Sequence, residues 1–146
     1  MDTAAAGLQD AFDITAVQVR YALALDARDW ASLRTCFVPD AVAVYGDFGT
    51  FEGYDAIEAL CRTALGPLTR SQHLLGNHAS TVDGDRATAQ CYFQAQHVKL
   101  GTDGGDNYII AGRYEDLLER TPDGWRIRHR TLETWWTDGN PAVVGG

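Results

Sequence analysis

The sequence is poor in the features that build disulfide scaffolds, metal clusters and membrane spans. Of its 146 residues only three are cysteines, Cys36, Cys61 and Cys91, and none belongs to a C-x-x-C pair. This odd count argues against a disulfide framework and a cysteine zinc site. No apolar run approaches the roughly 18 residues of a membrane-spanning helix. Residues 1–7 lack the basic and apolar regions of a signal peptide, so we expect a cytoplasmic globular protein.

Basic residues are also scarce. Twelve lysines and arginines stand against twenty aspartates and glutamates, which gives a net charge of −8. Phosphate backbones and anionic lipid surfaces are bound by basic faces, so we expect neither nucleic acid nor a membrane as a partner. Arg126, Arg128 and Arg130 form the one basic run, and we expect their shared face to be solvated or to contact another subunit.

Motifs of the common cofactor-binding and hydrolytic enzymes are missing as well. The chain has no G-x-G-x-x-G after a predicted strand, no Walker motif, no H-E-x-x-H and no EF-hand loop. It also lacks the G-x-S-x-G elbow of serine hydrolases. We therefore expect a function that needs neither a cofactor nor a resident metal ion.

What the sequence does have is a periodicity that changes from helical to strand-like. The spacing predicts helices over 10–26, 30–36 and 55–65, with a hairpin over 41–53. Beyond these, alternation predicts four long strands over 71–82, 86–100, 107–120 and 125–137. Three helices followed by long antiparallel strands are typical of an α+β fold. Because such strands twist and bend, we expect a strongly curved, mostly antiparallel sheet that forms a cone over the helices. We predict one domain over 1–146, with loose tails at 1–9 and 139–146.

Polar residues enter the apolar face of this cone at three places. His97 alternates in phase with the small apolar residues of its strand and therefore faces inward. Alternation over 71–82 does not show which face of that strand is buried. If the face that carries His73 is buried, His73 and His97 enter the same cavity. Asp26 ends the first helix, where the helix dipole disfavours a carboxylate by up to about 1 kcal/mol. A carboxylate beside a histidine fixes its tautomer and stabilises its imidazolium, so this pair would act as a general base.

Aromatic residues supply further candidates. Tyr21 and Tyr45 would donate hydroxyl groups to a substrate oxygen, and the residues expected to line the cavity are Phe93, Ile110, Trp135, Trp136 and Asn77. Each candidate also has a structural explanation, because strand histidines are more often surface residues and tyrosines more often core aromatics. We interpret His78 and His129 as structural, with His129 in phase with inward-facing neighbours.

Three segments give the chain a family resemblance: LDARDWASL at 25–33, RSQHLLGN at 70–77 and DGWRI at 123–127. They resemble the SnoaL-like branch of the nuclear transport factor 2-like superfamily, whose fold is an α+β cone. The resemblance implies that Asp26 and His73 match the carboxylate–histidine dyad of the family's dehydratases and dehydrochlorinase. By the same resemblance, Tyr21, Tyr45 and His97 match substrate-polarising tyrosines and a second histidine.

The leading hypothesis is a cofactor-independent lyase (dehydratase) or isomerase that acts on a small hydrophobic, cyclic substrate. One alternative is a non-catalytic module that binds a small ligand or serves assembly, as the small subunit of a ring-hydroxylating dioxygenase does. Another is an iron site formed by Asp26, His73 and His97. An open sheet needs its outer face covered. The resembling proteins commonly cover it by forming dimers or trimers, so the resemblance implies a homodimer or homotrimer.

Overall fold

The helices of the first half of the chain pack against a sheet formed mainly by its second half. The computed structural model describes residues 2–145. Its helices are α1 (Thr3–Ala27), α2 (Trp30–Arg34), α3 (Tyr54–Leu65) and α4 (Ala142–Gly145), with a 3-10 turn at Gly46–Phe48. Its strands are β1 (Phe37–Tyr45), β2 (Thr50–Glu52), β3 (Arg70–Asp83), β4 (Arg86–Val98), β5 (Asn107–Thr121) and β6 (Gly124–Gly139).

The strands form one open sheet in the order β2-β1-β6-β5-β4-β3. Strands β3 to β6 pair antiparallel with their sequence neighbours, whereas β1 pairs parallel to β6 and antiparallel to β2. The hydrophobic core lies between the inner face of this sheet and the helices, with side chains such as Ile14, Leu33 and Ile57 completely buried. The predicted cone-like α+β architecture, mostly antiparallel, is confirmed.

Helix α1 starts earlier than the sequence predicts. The expected loose tail at 1–9 is helical from Thr3, because Asp2 caps the N–H of Ala4 at 3.2 Å and alanines follow. Asp10, where the predicted helix begins, lies inside α1, and its carboxylate accepts hydrogen bonds from Arg120 and Trp125. The helix ends at Arg28, whose backbone is left-handed with φ 56°. Met1 lies outside the described residues.

The connection between the second helix and the first strand also differs from the prediction. Helix α2 ends at Arg34 instead of Cys36, and Pro39 lies within β1. The pairing register of β1 with β6 shifts between Phe37 and Val42, and Pro39 lies within this irregular segment. Proline has no backbone N–H to donate, so it is tolerated where the regular β-ladder is interrupted.

Two bulges decide which residues of the long strands face the core. In β3 the register shifts between Gly76 and Ala79, and Asn77 adopts φ 53°. Residues in phase with His73 face inward before this bulge, so the open question about that strand is answered. In β6 the register shifts beside Ile127, which turns Arg130 inward and His129 outward. The expectation that Arg130 lies on a solvated face is therefore wrong, since its side chain is completely buried.

The C-terminal segment is docked on the sheet, contrary to the expected loose tail at 139–146. Helix α4 buries Val143, and the side-chain amide of Asn140 donates to the carbonyl oxygens of Asp103 and Gly105 at 2.9 and 2.8 Å. Gly146 lies outside the described residues. No helix within residues 2–145 is both long enough and apolar enough to cross a bilayer.

Candidate active site

The end of α1 and the start of β3 bring Asp26 and His73 into contact. Nδ1 of His73 lies 2.7 Å from Oδ1 of Asp26, and the backbone N–H of His73 donates to Oδ2 at 2.8 Å. The hydroxyl of Ser71 donates to Oδ1 at 3.0 Å. Arg28, in its left-handed conformation, donates to Ser71 Oγ at 2.8 Å and thereby holds this hydroxyl in place. The predicted dyad is thus assembled by side-chain and backbone hydrogen bonds together.

This geometry sets the charge of Asp26 and the tautomer of neutral His73. Burial raises the pKa of the Asp26 carboxyl, but the hydrogen bonds from His73 and Ser71 outweigh it and leave the pKa below its ordinary value. Asp26 is therefore a carboxylate at neutral pH, and Nδ1 of neutral His73 must donate to it. The lone pair then lies on Nε2, which has no hydrogen-bond partner within residues 2–145. His73 is oriented as a general base.

His73 opens into a cavity of about 100 Å³ between the helices and the inner face of the sheet. One part of its wall is apolar and includes Leu25, Phe48, Leu60, Phe93, Ile110 and Leu132. Another part carries polar groups of His73, His97, Tyr21, Tyr45 and Tyr114. Cavities of comparable size, on the order of 150 Å³, hold a benzene ring. The cavity therefore combines an apolar wall with a small set of polar groups.

Tyr21 and Tyr45 form a pair at one side of this cavity. Their hydroxyl oxygens are 2.9 Å apart, so one phenol donates to the other. Burial raises the pKa of both phenols well above the ordinary value, and both remain neutral donors. Burial and, to a smaller extent, the hydroxyl of Tyr21 also raise the pKa of the neighbouring Tyr114. A hydroxyl group of this cluster can donate to an oxygen atom of a ligand.

His97 lies across from the dyad. Its ring centroid is 6.3 Å from that of His73, and its Nδ1 lies 3.2 Å from the carbonyl oxygen of Tyr108. Burial, reinforced by the neighbouring His73, lowers the pKa of His97 to about 4. Within residues 2–145 no three histidine, cysteine or acidic side chains are arranged to hold a metal ion. Asp26, His73 and His97 consequently do not form the iron triad of the alternative hypothesis.

Three of the predicted cavity residues lie elsewhere. Trp135 and Trp136 remain 46% and 45% exposed, and Trp135 packs edge-to-face against Tyr92 on the outer face of the sheet at a centroid distance of 4.9 Å. Asn77 is exposed because it occupies the bulge of β3. The pairing register of β6 with β5 shifts beside Trp136, so the alternation of inward and outward side chains along β6 is interrupted before it reaches the tryptophans. Phe93 and Ile110 do line the cavity.

Sequence reasoning missed a buried ion pair behind the aromatic wall. Arg130 donates to both carboxylate oxygens of Asp116 at 2.7 Å, and Gln18 donates to the same carboxylate at 3.1 Å. The Arg130 guanidinium lies 4.2 Å from the ring centroid of Tyr21 and 4.1 Å from that of Tyr114. These contacts fix the positions of two cavity tyrosines. The available signal was Asp116 itself, a carboxylate in phase with the apolar residues of β5.

Comparisons with known proteins agree with this architecture. A protein of Penicillium crustosum, described as terrestric acid biosynthesis cluster protein E, is 31% identical over 144 residues, covering 94% of this chain and 91% of that protein. The crystal structure of a Kribbella flavida protein superimposes with a TM-score of 0.88 at 23% identity, covering 96% of this chain and 99% of the other.

A hexachlorocyclohexane dehydrochlorinase of type 2 shares the fold, with a TM-score of 0.77 at 18% identity over 92% of this chain and 89% of its own. The family model of the SnoaL-like domain matches residues 6–131 of the chain, which include the dyad, both tyrosines and His97. This match spans most of the sequence and both layers of the fold. The chain belongs to the SnoaL-like domain family.

Proposed function

We propose that this protein is a lyase or isomerase that removes a proton from a carbon next to a carbonyl group in a small, hydrophobic, cyclic substrate. The observation that carries the proposal is the unpartnered Nε2 of His73, which faces an apolar cavity while Asp26 holds the opposite side of the ring. A general base placed in this way contributes about 10²- to 10⁴-fold to a proton transfer.

The residues divide the proposed reaction among them. Nε2 of His73 takes the proton from carbon, and the Asp26 carboxylate stabilises the resulting imidazolium. The electron pair of the broken C–H bond moves toward the carbonyl oxygen, to which the pair formed by Tyr21 and Tyr45 donates a hydrogen bond. In a dehydration, this electron pair then forms the carbon–carbon double bond, and the hydroxide on the next carbon leaves as water with a proton from His73. In an isomerisation the proton returns to another carbon. Neither course changes the oxidation level of the system, so neither requires a redox cofactor.

The relatives support elimination chemistry of this kind. The dehydrochlorinase with the same fold is named for the removal of hydrogen chloride from a cyclic compound. The Penicillium relative is named for a biosynthesis cluster. Together with the dyad, these names favour a catalytic role on a small cyclic molecule over a purely architectural one.

The proposal is tested with 3-hydroxycyclohexanone, whose dehydration to cyclohex-2-enone is followed by ultraviolet absorbance. We expect turnover by the wild-type protein and a loss of roughly 10²-fold or more in His73→Ala and in Asp26→Asn. His129→Ala is the matched control, because this histidine faces away from the cavity and its variant should retain full activity. Equal turnover in all four proteins would exclude His73 and Asp26 as the general base, and turnover no faster than in buffer in any of them would favour a ligand-binding module.

We also propose that the outer face of the sheet is covered by further copies of the chain in a homodimer or homotrimer. Leu74, Tyr92, Leu117 and Trp135 remain 39–61% exposed on this face. Exposed apolar patches that extend over neighbouring strands mark interaction surfaces. Light scattering on the eluting protein gives the mass of the particle and decides between a single chain, two copies and three.

A further inference from the structure

Helix α1 has a second apolar face besides the one that packs into the core. Leu8, Phe12 and Leu23 are 74%, 71% and 66% exposed, and Val19 is 38% exposed. At 3.6 residues per turn these four side chains, here called the helix stripe, fall within a sector of about 60° on the side away from the buried Ile14. Single exposed apolar residues are common, but a stripe that continues over about four helical turns marks an interaction surface.

The order of residues in the helix stripe is symmetric about the point between Thr15 and Ala16. Its two leucines lie at equal distances from this point, and so do Phe12 and Val19. A two-fold axis through the point therefore places leucine against leucine, and Phe12 of one helix against Val19 of the other. Thr15 and Ala16 are small and only half-buried, so two helices can approach closely where they cross. The stripe is thus complementary to itself in an antiparallel pair.

The charged residues beside the helix stripe fit the same symmetry. Asp13 and Arg20 lie on one flank of it, and an antiparallel second helix brings Asp13 of each copy near Arg20 of the other. Within residues 2–145 neither takes part in an ion pair; Asp13 accepts a hydrogen bond from Gln9 at 2.8 Å, and Arg20 donates to the carbonyl oxygen of Thr35 at 3.0 Å. A parallel pair would set like charges together. Charge and apolar spacing therefore favour the same orientation.

We propose that α1 pairs antiparallel with α1 of a second copy of the chain through the helix stripe, about a two-fold axis between Thr15 and Ala16. A lipid surface does not suit the stripe, because Arg20 is the one basic residue of α1 and helices that lie on lipid are rich in lysine and arginine. The helix layer and the outer face of the sheet are on opposite sides of the fold, so one chain can use both surfaces. A two-fold contact through α1 then doubles whatever assembly the outer face forms.

Mixed disulfide formation tests the orientation of the two helices. Phe12→Cys and Val19→Cys proteins are mixed in equal amounts and oxidised, and the cross-linked peptides are counted by mass spectrometry. In the antiparallel pair these two positions face each other, whereas a position and its own copy are offset by about 10 Å along the axis. We expect the disulfide between the two variants to exceed the one-half share that random collision gives. The native cysteines Cys36, Cys61 and Cys91 are buried and should not compete.

Light scattering over a range of concentrations tests the contact itself. Phe12→Glu sets a carboxylate into the apolar seam twice and should halve the particle mass. Leu100→Glu is the matched control, because this leucine is 67% exposed in the β4–β5 loop and lies outside the helix stripe. Asp13→Arg should raise the Kd of the pair about 3- to 10-fold by replacing two attractions with repulsions. Asp103→Arg makes the same charge change on an exposed loop residue and should leave the Kd unchanged.

Four results would overturn the pairing: a wild-type particle of one chain, an unchanged mass in Phe12→Glu, an equal loss of mass in Leu100→Glu, or a mixed disulfide no more frequent than random. A mass that changes in Trp135→Ser and not in Phe12→Glu would show that the outer face of the sheet alone joins the copies. None of these measurements involves turnover, so a failure here is distinct from inactivity in the dehydration assay.

Discussion

Breaking the ion pair between Arg130 and Asp116 should destabilise the fold more than any surface substitution. Neither side chain has exposed area, and two hydrogen bonds of 2.7 Å join them. In Asp116→Leu the guanidinium keeps its charge in a buried site and loses its counter-ion. Removal of one partner from such a pair costs about 3–5 kcal/mol. At about 2–4 °C per kcal/mol for a domain near this size, the expected fall in melting temperature is about 6–20 °C.

Chemical denaturation of four variants and the wild-type protein measures this effect. The single variants Asp116→Leu and Arg130→Met each leave one buried charge, whereas the double variant leaves neither. The double variant should therefore be more stable than Asp116→Leu alone, despite carrying one more substitution. Arg128→Met is the matched control, since this neighbouring arginine is exposed, and its change should stay within about 0.5 kcal/mol. Single variants that lose less than about 1 kcal/mol, or a double variant that loses the sum of both, would refute the reasoning.

Three further predictions follow from the structure. The pKa of His97 is about 4 in the folded protein and near 6.5 when unfolded, so the unfolded chain binds more protons between these values. Stability should therefore fall as pH is lowered from 6.5 to 4, by about 2–3 kcal/mol, and His97→Gln should flatten this slope in urea titrations. Asn140→Ala removes both hydrogen bonds that tie α4 to the β4–β5 loop, so hydrogen exchange should accelerate over 142–145 and not in β5. Trp135→Ser should lower the particle mass in light scattering if the outer face joins copies of the chain, and an unchanged mass would place the interface elsewhere.

Much of the fold and the dyad could be predicted because the relevant patterns are local. The helical spacing that leads to Asp26 and the alternation that leads to His97 each survive unbroken in the structure. The prediction that His73 faces the cavity required knowing which face of β3 is buried, and the sequence alone does not show this. Its position before the bulge at Asn77 leaves it in phase with the inner face of β4.

The errors about His129, Arg130 and the two tryptophans have a common physical origin in β6. Alternation places His129 inward and Arg130 outward only if the strand is regular, and one extra residue beside Ile127 reverses both assignments. A second register shift near Trp136 similarly takes the tryptophans out of the predicted cavity. Bulges of this kind depend on how two strands pair, so the sequence of one strand does not reveal them. The ion pair with Asp116 then explains why an arginine is tolerated in the core.

Exchange of carbon-bound hydrogen in heavy water tests the central claim most directly, because it reports proton abstraction even when no product forms. The probe is 3-hydroxycyclohexanone, and the signal is loss of the proton resonance at the carbon between its carbonyl and hydroxyl-bearing carbons. The wild-type protein should accelerate this loss over buffer, and His73→Ala should reduce the acceleration by roughly 10²-fold. Equal exchange rates in the two proteins would contradict a base at His73.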